Sequence, residues 1–167
     1  MSTLEKHIQG NLDKISAWAE INGFKFSVDK TVCMHFWKYK GSRPPTIHMK
    51  QPHYKPDDVG IKEQPVKVVD SHKFLGLIWD RGLTFKDHIH YLKAKCIKSL
   101  QLLRVLASKS WGADSALLLR LFRALIRSKL DYGAVVYQSA TQKKLDYLKP
   151  IQNEALQVFL GAFRSSP

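Results

Sequence analysis

Lys73-Phe-Leu-Gly-Leu-Ile-Trp-Asp80, followed by Arg81-Gly82, is where one periodicity gives way to another. Leu75, Leu77 and Trp79 alternate, as in a strand with one face in a core. Gly76 within it suggests a bulge or the close approach of another backbone. From Ile89 onward the steps become three and four: Leu92, Cys96, Leu100, Leu103 and Ala107 share one helical face. The change near Arg81-Gly82 predicts an α+β chain of two subdomains. Residues 1–80 would hold an N-terminal helix and a small antiparallel sheet, and residues 81–167 a helical bundle.

Downstream, Thr84 with Asp87 resembles a capping box at the start of the long helix. Ser110-Trp111-Gly112 breaks the pattern, and Asp114 can cap the next helix. That helix carries Leu117, Leu121, Phe122, Leu125 and Ile126 and ends near Asp131-Tyr132-Gly133. Thr141 can start a third, which must restart or kink at Pro150 and carries Ile151, Ala155, Leu156 and Phe159 beyond it. Upstream, Leu4, Ile8, Leu12, Ile15 and Trp18 mark an amphipathic helix ended by Asn22-Gly23. Thr31–Trp37 reads as a strand, Gly41-Ser-Arg-Pro-Pro45 as a loop and Thr46–Lys50 as a short strand. Gln51–Gln64 has no usable period and reads as an irregular insertion. Pro65–Val69 and Lys73–Trp79 read as a hairpin joined by Asp70-Ser71-His72.

The net charge of +13 on 167 residues is unevenly spread. Residues 1–80 hold 12 Lys/Arg against 9 Asp/Glu, and residues 81–167 hold 15 against 5. The second half therefore carries most of the positive field, as a segment lying along a polyanion would; association with any acidic partner is the open alternative. No apolar run approaches the ~20 residues of a membrane span, and the N-terminus lacks a signal-peptide layout. Cys33 and Cys96 form no disulfide framework. An intracellular setting, nucleus or cytoplasm, is expected.

Few residues offer chemistry. Asp57-Asp58 is the only adjacent acidic pair besides which a two-metal site would need further carboxylates, and it sits among loop residues. His88-x-His90 diverges on a helix, and Cys33-x-His35 has no second pair at zinc spacing, so no metal site is expected. There is no Gly-x-Ser-x-Gly elbow. Arg120, Arg123 and Arg127 form a stripe at i, i+3 and i+7, and Lys86, Lys93 and Arg104 flank the apolar face of the preceding helix. Such rows track phosphates, because each neutralised phosphate releases counterions, or they are simply solvated faces. Trp111 and Tyr132, at helix breaks, read as packing anchors.

Gly23-Phe-Lys-Phe-Ser-Val-Asp-Lys-Thr31, Lys73–Asp80, Ser110-Trp-Gly-Ala-Asp114, Ala124-Leu-Ile-Arg-Ser-Lys-Leu-Asp-Tyr-Gly133, Pro150-Ile-Gln-Asn153 and Gly161-Ala-Phe-Arg-Ser-Ser-Pro167 follow in an order that resembles the C-terminal part of the reverse transcriptase of non-LTR retrotransposons, the jockey-like arthropod type. The resemblance implies a partial polymerase palm, a primer-grip hairpin and a helical thumb closing on an RNA–DNA duplex of RNA template and DNA primer. It implies Lys30 near the incoming triphosphate, where a surface lysine beside Asp29 is the alternative. It implies Phe74, Leu75 and Gly76 as the primer grip, which a plain core strand would also explain. The parent polymerase would use Mg²⁺ on carboxylates of a Tyr-x-Asp-Asp hairpin, which in the family precedes the first phrase. This chain is therefore expected to be a fragment that needs the missing N-terminal polymerase regions and is inactive alone. A stand-alone nucleic-acid-binding module or a helical protein-interaction domain are the other readings.

Overall fold

The structure, a computed structural model, describes residues 3–36, 45–55, 58–107 and 113–160, with the backbone alone for 51–55, 58–62, 159 and 160. The expectations for Trp37, residues 41–44, Asp57, Ser110-Trp111-Gly112 and Gly161–Pro167 lie outside the described residues. The chain divides into two compact units, Met1–His72 and Lys73–Pro167. The division falls before Arg81-Gly82, because the strand that ends at Asp80 packs on the long helix after it.

In the first unit, helix α1 spans Thr3–Ile21 and ends as its Asn22-Gly23 signal requires, with Gly23 at φ 71°. Strand β1 is only Val32–Cys33. Strands β2 (His48–Lys55) and β3 (Asp58–Pro65) form an antiparallel hairpin from His48↔Pro65 to Lys55↔Asp58. The irregular insertion expected over Gln51–Gln64 is thus a regular ladder. Both strands of a two-stranded ladder are edges, where proline is tolerated, so Pro52 and Pro65 do not break it. Strand β4 (Lys67–Val68) pairs in parallel with β1, so it is not the first strand of the expected hairpin. The Gln9 amide fixes β2 to α1 by donating to the His48 carbonyl (2.8 Å) and accepting from the His48 N–H (2.9 Å). Ala19, Ile47, Met49 and Val66 are buried, but most of the apolar row of α1 is not: Leu4, Ile15 and Trp18 are exposed.

Strands β5 (Ser71–Phe74) and β6 (Leu77–Asp80) form the actual hairpin that leads into the second unit. Its turn is Leu75-Gly76, with φ values of 47° and 81°. Two positive φ values belong to the type I′ turn that suits a right-twisted ribbon. Gly76 is therefore a turn residue rather than a bulge inside a strand.

Helix α2 runs Lys86–Leu106 and buries Ile89, Leu92, Cys96, Leu100 and Leu103, the face its periodicity marks. Its start differs from the expected capping box. The Asp80 carboxylate accepts from the N–H groups of Gly82 (3.1 Å), Thr84 (2.9 Å) and Phe85 (2.5 Å) and from the Thr84 hydroxyl (3.3 Å). Thr84 is thus held by Asp80, and Phe85, at φ 53°, is the residue that precedes the helix.

Asp114 caps helix α3 (Ser115–Phe122) by accepting from Leu117 N–H at 2.6 Å. The helix then widens into a π-helical turn over Arg123–Arg127 before the short helix α4 (Ser128–Asp131). Gly133, at φ 69°, opens α5 (Ala134–Tyr137). Thr141 precedes α6 (Gln142–Leu145), a 3₁₀ turn spans Asp146–Leu148, and α7 (Lys149–Leu160) restarts with Pro150 in its first turn. Leu77, Phe85 and the apolar face of α2 share one core with Leu118, Ile126, Leu130, Tyr137, Ile151 and Ala155.

Candidate nucleic-acid interface

The Leu75-Gly76 turn is presented outward: Phe74 is 59% and Leu75 72% exposed. It is held from behind by Tyr132, whose hydroxyl donates to the Leu75 carbonyl at 2.7 Å. A Cβ on Gly76 would lie 3.0 Å from the Tyr132 ring. The close approach expected at Gly76 is therefore to a side chain, and Tyr132, expected as a packing anchor, braces the turn from an exposed position. Leu77 turns inward and is buried.

Beneath the turn lies a cleft of about 250 Å³ lined by Gly76, His88, Tyr91, Leu92, Lys95, Ser128, Lys129 and Tyr132. Tyr91, Lys95 and Ser99 sit at i, i+4 and i+8 on α2, one row down the helix. Lys73 Nζ donates to the Tyr91 hydroxyl (2.8 Å), and Lys95 Nζ lies 4.7 Å from the centre of the same ring. Lys129 Nζ reaches Ser99 Oγ further along the row. Hydrogen bonding by Lys73, and then by Lys95, holds the Tyr91 phenol below its usual pKa. Among the described residues none of these three ammonium groups forms an ion pair. Sequence reasoning assigned none of these five residues to a site. Only the Tyr91-Lys95-Ser99 spacing could have signalled them, because Lys73 and Lys129 come from other elements.

The residues singled out from sequence lie on several elements. Lys30 lies in an exposed turn of the first unit, closed by Thr31 N–H and Oγ1 donating to the Ser27 carbonyl. Arg120, Arg123 and Arg127 are all exposed, and Arg127 pairs with Asp131 at 3.3 Å. Arg104 is paired with Glu154, while Lys93 lies 5.5 Å from the centre of the Tyr147 ring. Lys86 is exposed at the start of α2. Of these cations only Arg104 and Arg127 have an ion pair among the described residues.

Mg²⁺, which the resemblance implies for a parent polymerase, finds no fitting donor set here. Among the described residues no three His, Cys, Asp or Glu side chains gather as a metal site. Asp58 begins β3, and its neighbour Asp57 lies outside the described residues. His88 is buried and His90 exposed, so the two rings diverge as their spacing requires. No helix among the described residues is long and apolar enough to cross a membrane.

The chain is similar to polyproteins and RNA-directed DNA polymerases of retrotransposons, at 22–27% identity. One relative is a retrovirus-related Pol polyprotein from type-1 retrotransposable element R1 3 of Nasonia vitripennis, 26% identical over 141 residues, 84% of this chain and 35% of the relative. Another is the RNA-directed DNA polymerase from mobile element jockey of Drosophila melanogaster, 22% identical over 155 residues, 93% of this chain and 16% of the relative. A third, a probable RNA-directed DNA polymerase from transposon X-element of the same organism, is 27% identical over 110 residues, 64% of this chain and 12% of the relative. The chain thus spans well under half the length of these relatives. No family model and no solved structure matches it.

Proposed function

We propose that this chain is the strand-gripping part of a retrotransposon reverse transcriptase, holding an RNA–DNA duplex without performing the chemistry itself. The observation that carries the reading is the exposed Leu75-Gly76 turn, braced by Tyr132 beside lysines that have no carboxylate partner among the described residues. An exposed apolar tip can lie against sugar and base edges while ammonium groups neutralise phosphates. In this reading Phe74, Leu75 and Gly76 hold the primer end, and Arg120 and Arg123 follow the duplex backbone. Residues 81–167 act as a thumb and residues 1–80 as part of a palm. Lys30 meets a triphosphate only once the remaining polymerase regions are present. The exposed apolar row of α1 suits a surface those regions cover.

Fluorescence anisotropy with a labelled RNA–DNA hybrid tests the grip. Binding should weaken by at least ~10³-fold between about 50 and 200 mM salt if six or more phosphates are contacted. Salt-tolerant binding to a protein, with no affinity for the hybrid, would point to an interaction domain instead. Primer extension with Mg²⁺ by these 167 residues alone would refute the assignment of gripping without chemistry.

A further inference from the structure

We infer that the cleft between the Leu75-Gly76 turn and the Tyr91-Lys95-Ser99 row is a phosphate-binding subsite that seats a single phosphate group between Lys95 and Lys129. This deepens the gripping reading and rests on it for the source of the phosphate, a nucleic-acid strand. The same chemistry would serve a free phosphate.

Three features converge on one anion. Lys95 and Lys129 both line the cleft, and Lys73 approaches its Tyr91 wall. Like charges gathered without a counter-charge repel one another, and among the described residues no acidic side chain lines the cleft to relieve them. The cleft also carries a buried donor with no acceptor. His88 is 3% exposed, and its Nδ1 accepts from the Ile78 N–H at 3.3 Å. That bond leaves the proton of the neutral ring on Nε2, for which no partner exists among the described residues. No solvent reaches that Nε2, so an anion in the cleft acts on it by charge rather than by contact, supplying negative charge where the described lining has none. Lysine binds phosphate as a point charge on a flexible stem, so both ammonium groups can swing from their resting partners, the Tyr91 ring and Ser99 Oγ, onto one group. The Tyr132 hydroxyl and the Ser128 hydroxyl are already committed, to the Leu75 and Ala124 carbonyls, and leave the charge contact to the lysines.

Sharing one phosphate has a distinctive salt signature. Each phosphate neutralised on a duplex contributes about 0.9 to the slope of log affinity against log salt. The Lys95→Gln, Lys129→Gln double variant should lower the slope by about 0.9, whereas either single variant leaves one ammonium on the phosphate and, like Lys14→Gln in α1, should leave the slope unchanged. A fall of about 1.8 in the double variant means two separate phosphates and overturns the shared subsite. An unchanged slope in the double variant overturns it as well.

Inorganic phosphate, titrated while the amide resonances of Gly76, Lys95, Lys129 and Tyr132 are followed, separates this inference from the gripping reading. Shifts that saturate, and that vanish in the double variant, support the subsite even where the hybrid does not bind. In that case the nucleic-acid reading falls and a free phosphate is the ligand. Hybrid binding with neither phosphate shifts nor a slope change removes the subsite and leaves the grip. Shifts with an acidic peptide, and none with phosphate, overturn it in favour of a carboxylate ligand.

Discussion

Replacing Asp80 by Ala tests the joint on which the hairpin and α2 depend. Its carboxylate accepts four hydrogen bonds, three from the backbone N–H groups of Gly82, Thr84 and Phe85 and one from the Thr84 hydroxyl. These bonds hold Leu83 and Phe85 at φ 52° and 53°, where residues with a Cβ are strained by roughly 1–2 kcal/mol each. The Gly82 and Thr84 groups are exposed, and water replaces the lost acceptor there at little cost. The Phe85 N–H is partly buried beside a side chain only 2% exposed, so losing its charged partner costs about 1–3 kcal/mol. Weakened support for the two strained residues adds to this, and the total is about 3 kcal/mol. Asp80→Asn keeps one acceptor oxygen and should cost about 1 kcal/mol. Urea unfolding followed by helical circular dichroism reads the difference, as a lower midpoint at an unchanged slope. A change in Asp80→Ala below about 0.5 kcal/mol, the usual range of a neutral surface substitution, would refute the argument that this carboxylate sets the turn.

Gly133→Ala should destabilise by roughly 2–3 kcal/mol, since φ is 69° and the new Cβ would lie 2.6 Å from Leu77 Cδ2, whereas Gly10→Ala, in open space on α1, should stabilise by about 0.5–1 kcal/mol; the same urea titration compares them. Tyr132→Phe should cost only about 0.5–1 kcal/mol, because its bond to Leu75 is exposed, yet it should speed amide exchange at the Leu75-Gly76 turn, and unchanged exchange would show that the brace is idle. Burial lowers the His88 pKa below the usual imidazole value of 6.5, so the unfolded chain takes up the proton first as pH falls. Stability from the neutral ring should be complete above pH 6.5 and decline below it toward the folded pKa, and His88→Gln should flatten that acid limb in urea midpoints measured across it.

Local sequence signals fared well wherever a short-range physical rule decides the outcome. The face of α2, the Asp114 cap and the Gly23 stop each depend on residues within a turn or two, and each forms as its spacing requires. The β2–β3 hairpin was illegible because two edge strands need no strict alternation and tolerate Pro52. The π-helical turn at Arg123–Arg127 leaves no mark in a row of good helix formers. Thr84 and Asp87 had the right spacing for a cap, but Asp80 offered the Thr84 N–H a charged acceptor from the preceding strand.

The candidate site divides along the same line. Sequence by itself determined the α+β character, the helical second half with its positive excess, and the kinship with retrotransposon polymerases, since these reside in composition, period and ordered phrases. Only the tertiary structure moved Leu75-Gly76 from a strand to an exposed turn and set Tyr132 behind it. It also decided which charges remain free, pairing Arg104 with Glu154 and Arg127 with Asp131 while gathering Lys73, Lys95 and Lys129 around Tyr91 and Ser99. The physical reason is range. Helical periods and caps act over a few residues, whereas the neutralisation of a charge depends on whichever side chain folding brings within a few ångströms.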